Sequence, residues 1–295
     1  MSDWAVRTEG LKKRYGARTA LSAVDLAVPE GSFFAILGPN GAGKTTLMRC
    51  LMGLIRPDAG AAEVLGMPLG PGYPPVELKA RIGYVAQTQA LPERMTAREL
   101  IALCRGLNPR WDDATVRRYL DLFGLPADLP GRQMSAGMKA QLALTLAMGG
   151  RPELLVLDEP TLGLDPLSRH QYLQVLLADS LETGCTVLLS SHDLAQIERI
   201  ADRVAILVDG RIVVAGAVDD LKDREKRVRV SGTVDESAVV CVTGVRRAVR
   251  EPGGWLLYAS GDGGRIEREV RALPGVIGVQ VLDQSLEEIF ISYCS

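Results

Sequence analysis

The chain has no surplus of either charge. Its 34 Lys and Arg residues against 36 Asp and Glu leave a formal net charge of −2, so it has none of the basic field that draws a protein to nucleic acid. Histidine is scarce: His170 and His192 are the two, which excludes a His-rich metal centre. The five cysteines (Cys50, Cys104, Cys185, Cys241, Cys294) are scattered and odd in number, and none forms C-x-x-C. That pattern fits a reducing cytosol rather than a disulfide framework. The opening Met1-Ser2-Asp3-Trp4-Ala5-Val6-Arg7 has no apolar signal core. No uncharged apolar run approaches the roughly 20 residues that span a bilayer, so action at a membrane would need another chain to cross it. Internal repeats and low-complexity tracts are also missing. What is present is ordinary for a soluble globular protein: 295 residues, 47% hydrophobic and 24% charged, enough for one large domain or two of common size.

Against this background the segment Gly38-Pro39-Asn40-Gly41-Ala42-Gly43-Lys44-Thr45 stands out. It fits the phosphate-binding pattern G-x-x-x-x-G-K-[ST] in the right setting. The apolar run Phe33 to Leu37 before it reads as a buried strand, and Leu47, Met48, Leu51, Met52 and Ile55 after it carry a helical period. Glycines let a backbone wrap phosphate oxygens without Cβ clashes. Successive N–H groups and a helix N-terminus complete an anion-binding concavity. Lys44 is placed to reach β- and γ-phosphates and the Thr45 hydroxyl to ligate Mg²⁺. Thr46, next in the chain, belongs to the same nucleotide-binding set.

Residues 4–10 and 21–28 alternate like an antiparallel pair. Pro57 to Pro75 reads as Gly- and Pro-rich loops with a short strand at Ala61 to Leu65. Arg81 to Ala86 is a strand ending at Gln87. Thr96 to about Leu122 is helical, with Thr96 and Glu99 as a capping box. With the helix from Ser135 to Met148, this block (about 96–148) predicts a helical insertion. Leu154 to Leu157, Thr186 to Leu189 and Val204 to Val208 are continuous apolar strands, the mark of a mainly parallel sheet covered on both faces. The composition changes near residue 218, where Asp219 to Arg227 reads as a charge-dense connector. Strands at Arg227–Val234, Val245–Arg250, Trp255–Ala259 and Val276–Leu282, with helices at Arg265–Leu273 and Leu286–Tyr293, predict a small α+β accessory domain over 219–295. Residues 1–218 form the other domain.

A second motif is Leu154-Leu155-Val156-Leu157-Asp158-Glu159. An apolar strand delivers two carboxylates at its end. Asp158 is suited to hold Mg²⁺ through water, and Glu159 to polarise an attacking water, a contribution of about 10²–10⁴ in rate. At this point residues 4–218 resemble the ATP-binding subunits of ABC transporters. Ser135-Ala136-Gly137-Met138 stands where that family carries its signature, 23 residues before Asp158. The resemblance implies that this segment opens a helix capping the γ-phosphate held by a partner subunit. Ser135 and Gly137 match the pattern, while Ala136 and Met138 replace its usual glycine and glutamine. By the same resemblance Tyr15 stacks on adenine, and Gln87 ligates Mg²⁺ and senses the membrane partner. Asp165, in Gly163-Leu164-Asp165-Pro166, belongs to the loop crossing the dimer interface. His192, in Ser190-Ser191-His192-Asp193, is the switch histidine at the γ-phosphate.

The chain lacks a guanine-specifying Asn-Lys-x-Asp segment, so the resemblance implies ATP rather than GTP. Asn108 to Asp112 and the tail Ser285 to Phe290 look like one bacterial exporter subgroup. The expectation is an α/β P-loop NTPase of the ABC type. Its parts are a mainly parallel core sheet, an antiparallel β subdomain, the helical insertion and the C-terminal accessory domain. It would bind ATP and Mg²⁺, hydrolyse ATP with Glu159 and His192, and pair as a homodimer. It would drive a separately encoded transmembrane permease from the cytoplasmic face of the membrane. The alternative is a soluble ABC ATPase acting on ribosomes or as a regulator. Ribosomal ATPases of this class generally carry two ATPase modules and a basic linker, and this chain shows one module and a slightly acidic balance.

Overall fold

Residue order alone explains how the first strands pair. In the computed structural model, which describes residues 3–70, 74–88 and 90–294, Gly16 takes a left-handed φ of 58° between two twelve-residue strands. These are β1 (Trp4–Tyr15) and β2 (Arg18–Pro29), an antiparallel hairpin. Both are longer than the alternation predicted. β3 (Phe33–Leu37) follows, buried at every residue. At about 1.5–3 kcal/mol for each large apolar side chain removed from water, that strand is a principal anchor of the core. α1 (Lys44–Leu51) comes next. The apolar period runs on to Ile55, but the helix stops at Met52 because Gly53 turns left-handed (φ 63°) just past its end.

β4 (Ala59–Val64) and β5 (Met67–Pro68) complete a four-stranded sheet of order β2-β1-β4-β5. Residues 71–73 of the predicted Pro57–Pro75 loop lie outside the described residues. α2 (Val76–Ala80) leads to β6 (Ile82–Val85). The insertion holds α3 (Ala97–Leu107), α4 (Asp113–Phe123) and α5 (Ala136–Gly149). The expected capping box at Thr96 and Glu99 is formed in both directions. Then come β7 (Leu154–Asp158), α6 (Pro166–Thr183), β8 (Thr186–Ser191), α7 (Leu194–Ile200), β9 (Arg203–Val208) and β10 (Arg211–Ala217). The central sheet has the order β10-β9-β3-β8-β7-β6, and β9, β3, β8, β7 and β6 run parallel. Phe34 and Ile36 of β3 pack with Leu47, Met48 and Leu51 of α1 and with Leu154, Val156 and Leu188 of the neighbouring strands.

The chain divides into two compact units, Met1–Val214 and Ala215–Ser295. The second begins with α8 (Val218–Arg224), β11 (Glu225–Gly232), α9 (Glu236–Val240), β12 (Val245–Glu251) and β13 (Gly254–Ser260). It closes with α10 (Gly263–Arg271), β14 (Val276–Asp283) and α11 (Leu286–Cys294). Its antiparallel sheet has the order β12-β13-β11-β14. From β11 to β14 the element order is β-α-β-β-α-β, a split βαβ arrangement. Val228, Val230, Trp255, Leu257 and Ala259 pack on Val239 of α9 and on Ile266 and Val270 of α10. The Trp255 indole donates to the Val234 carbonyl at 2.9 Å.

Two readings need correction here. Asp219–Arg227, which reads as a charge-dense connector, is α8 and the start of β11. Asp219 and Asp220 in its first turn and Lys222 and Arg224 in its last complement the helix dipole, while Val218 and Leu221 turn inward. The charge density hid that i, i+3 apolar pair. α9 was missed because five residues are too few to show a helical period.

Candidate functional site

β3 and β7 each end in a chemically loaded turn, and β8 lies between them. The three C-terminal ends therefore lie side by side at the carboxyl end of the parallel strands, the usual ligand side of such sheets. After β3 the chain enters the glycine-rich loop. Gly43 sits at φ 112°, and a Cβ there would lie 2.4 Å from the Ala20 carbonyl oxygen. No other residue fits that turn. Gly43 is also the N-cap of α1, and no side-chain cap bond is made there, which leaves that helix end suited to an anion. The nearly buried Lys44 donates to the carbonyls of Gly38 (2.7 Å) and Pro39 (3.4 Å).

The carboxylates arrive from β7. The Thr45 hydroxyl donates to Asp158 Oδ1 at 3.1 Å, and Ser190 Oγ donates to the same oxygen at 2.8 Å. Asp158 Oδ2 is buried and has no hydrogen-bond partner. Glu159 adopts a left-handed φ of 47°. Its Oε2 meets His192 Nδ1 at 2.7 Å and its Oε1 lies 3.5 Å from the Lys44 ammonium. The Glu159 side chain is 8% exposed and that of His192 55%. One carboxylate thus joins the loop lysine to a histidine open to solvent.

A cavity of about 550 Å³ opens over this cluster, lined by the loop from Pro39 to Thr46 and by Tyr15, Arg18, Ala20, Gln87 and Glu159. The half-exposed Tyr15 ring has the Lys13 ammonium 5.7 Å from its centroid. Gln87 is exposed just beyond β6. The structure therefore gathers Tyr15, the loop residues, Gln87, Asp158, Glu159 and His192. Ser135, Gly137 and Asp165 are not among the residues lining the cavity. Ser135 is the N-cap of α5, its hydroxyl accepting from Met138 N–H at 3.1 Å. Asp165 caps α6 through the amides of Leu167 and Ser168, and hydrogen bonds from the Ser168 hydroxyl and then its amide hold the carboxyl below the usual range.

Two residues escaped the sequence reading. Arg18 lines the cavity and donates to the Gly41 carbonyl at 3.2 Å. Nothing local marks it, because it stands at the start of β2, 23 residues earlier. Ser190 stands in the sequence two residues before His192, yet in the fold it touches both carboxylate residues. Its polar character inside a fully buried strand is the signal that could have found it.

The fold and this site define a P-loop ATPase of the ABC class. Residues 21–162 match the family described as ABC transporter. Nod factor export ATP-binding protein I of Sinorhizobium fredii is 33% identical over 300 residues, 98% of this chain and 86% of the relative. A daunorubicin resistance ATP-binding protein of Streptomyces coeruleorubidus is 40% identical over 232 residues, 75% of this chain and 71% of the relative. A solved ATP binding subunit of an ABC transporter superposes with a TM-score of 0.67 at 32% identity, over 74% of this chain and 92% of that one. A dimeric post-hydrolysis ATP-binding cassette bound to ADP and Pi shares the fold, with a TM-score of 0.65 at 24% identity over 72% of this chain and 98% of that one. The chain belongs to the ABC transporter family, as one of its ATP-binding subunits. Among the described residues no helix is long and apolar enough to cross a membrane.

Proposed function

We propose that this chain hydrolyses Mg-ATP to drive a separately encoded membrane exporter from its cytoplasmic face. One observation carries the reading: Lys44, Thr45, Asp158, Glu159 and His192 form one linked cluster beneath a cavity lined by the glycine-rich loop. The residues present fit Mg²⁺. Asp158 keeps one buried oxygen without a partner beside the Thr45 hydroxyl, and both are hard oxygen donors. No group of three or more His, Cys, Asp or Glu among the described residues could hold a metal by itself. That suits a cation completed by phosphates and water. Thr45, Asp158 and Gln87 would hold it, and when bound it would neutralise charge on the phosphates.

In this reading the loop N–H groups and Lys44 grip the β- and γ-phosphates, and Tyr15 stacks on adenine. Glu159 takes the proton of a water that attacks the γ-phosphate in line. His192 holds the Glu159 carboxylate in register. Two copies pair head to tail, so Ser135, Gly137 and Asp165 of one complete the site of the other. This accounts for their separation from the cavity within one chain. The export assignment is supported by the names of the relatives. Residues 1–218 serve as the ATP-binding domain, with the insertion at about 96–148, and 219–295 as the accessory domain.

Two variants test the reading. Lys44→Ala removes a charge-assisted phosphate contact, and ATP binding or turnover should fall about 10- to 100-fold. Unchanged turnover in a clean preparation would refute the assignment. Glu159→Gln should bind ATP without hydrolysing it and elute as a dimer with ATP but as a monomer without. A variant that stays monomeric in saturating ATP contradicts the shared site.

A further inference from the structure

We infer that Ser190 is a positioning residue of the nucleotide site: its hydroxyl holds the backbone turn at Glu159 and decides which oxygen of Asp158 is left free. The inference rests on the ATPase reading above, and it is carried by three observations. The first is register. β8 sits between β3 and β7, and Ser190 pairs with Asp158 across the parallel ladder while Ser191 pairs with Leu37. Ser190 is fully buried among apolar strand residues, where a hydroxyl must spend both its donor and its acceptor.

The second observation is how they are spent. Ser190 Oγ accepts from the Glu159 N–H at 2.9 Å and donates to Asp158 Oδ1 at 2.8 Å. One oxygen thus links two consecutive carboxylate residues. The Ser190 carbonyl accepts the same Glu159 N–H at 3.2 Å. The third is backbone conformation. Glu159 stands at φ 47°, a region that non-glycine residues hold only where surrounding contacts enforce it. The clamp on its amide is such a contact. The turn it maintains presents Glu159 to His192 and Lys44 together.

With Oδ1 of Asp158 taken by Thr45 and Ser190, Oδ2 is the oxygen left without a partner. Without the serine donor, the carboxylate is free to turn either oxygen toward Thr45. Ser190 therefore biases one rotamer before any cation or nucleotide arrives, which lowers the cost of organising the site. A buried serine that merely satisfied itself would make the same two bonds but would leave the chemistry alone. The test separates the two.

In full-length protein, Ser190→Ala should lower kcat at least 10-fold. ATP affinity measured in EDTA should stay within about twofold, and so should the thermal midpoint within a few degrees. The Mg²⁺ concentration for half-maximal turnover should rise. Hydrogen exchange of the nucleotide-free protein should show faster exchange in the peptide carrying the Glu159 amide. Ser190→Thr, which keeps the hydroxyl, should restore slow exchange and most of the turnover. Wild-type turnover together with unchanged exchange in Ser190→Ala would overturn the inference. So would a loss of turnover matched by an equal loss of metal-free ATP affinity or by a collapse of the melting transition. If the wild-type protein itself fails to hydrolyse ATP, the functional reading falls instead, and the exchange measurement still decides whether Ser190 clamps the turn.

Discussion

Asp179 is a carboxylate buried near the C-terminal end of α6, and two residues of α4 reach it. Arg118 donates to its Oδ1 and the Tyr119 hydroxyl to its Oδ2, each at 2.5 Å. This pair of contacts ties the helical insertion, whose α4 packs on α5, to the strand-and-helix core. Burial first, then the bond to Asp179, pushes the Tyr119 phenol well above the ordinary tyrosine value, so it stays a donor at any working pH. Tyr119→Phe keeps the ring, its edge contact with Phe123 at 5.8 Å and the stack of Phe123 on Tyr172. It removes only the hydroxyl, and a hydrogen bond to a charged group contributes about 1.5–3 kcal/mol. Arg118 still neutralises Asp179, so the loss should fall in the lower half of that range. Asp179→Ala strands the buried Tyr119 hydroxyl at about 1–3 kcal/mol. The freed Arg118 is half exposed and rehydrates at little cost. The double variant leaves neither group unsatisfied. Its loss should be about 1–2 kcal/mol smaller than the sum of the single losses. Urea unfolding of the four proteins, followed by tryptophan fluorescence and far-UV circular dichroism, measures the cycle. Additivity within about 0.5 kcal/mol would refute the coupling.

Two other outcomes are expected. Burial pushes the Cys50 thiol to about 11 and the Cys185 thiol to about 12, whereas Cys241 is exposed. Alkylation at pH 8 read by mass spectrometry should label Cys241 first and spare Cys50 and Cys185 until urea unfolds the chain; early labelling of either would show that its core opens. A truncation ending at Val218 keeps β10 whole, unlike a cut at Val214 inside that strand. Such a chain should bind ATP within about twofold of full length by calorimetry. A folded truncation that cannot bind ATP would show that the boundary is misplaced.

The phosphate loop was legible because everything that builds it is local. A buried strand, four residues with special backbone or charge, and a helix start lie within Phe33 to Leu51, so spacing alone declares them. Helix starts at Thr96 and Ser135 were readable for the same reason: a cap and the amide it satisfies are three residues apart. Asp158 and Glu159 announced themselves as charges ending an apolar run. Arg18 and Ser190 did not, since each acts on a residue more than twenty positions away, at Gly41, Asp158 and Glu159. Their roles depend on strand order, and strand order is a matter of pairing between distant segments. The sequence shows buried strands but not that β8 lies between β3 and β7, nor that β11 to β14 assemble as β12-β13-β11-β14. Local propensity determined which elements exist and which chemical groups end them. Long-range packing and register decided which of those groups meet, because a hydrogen bond reads distance in space and not separation along the chain.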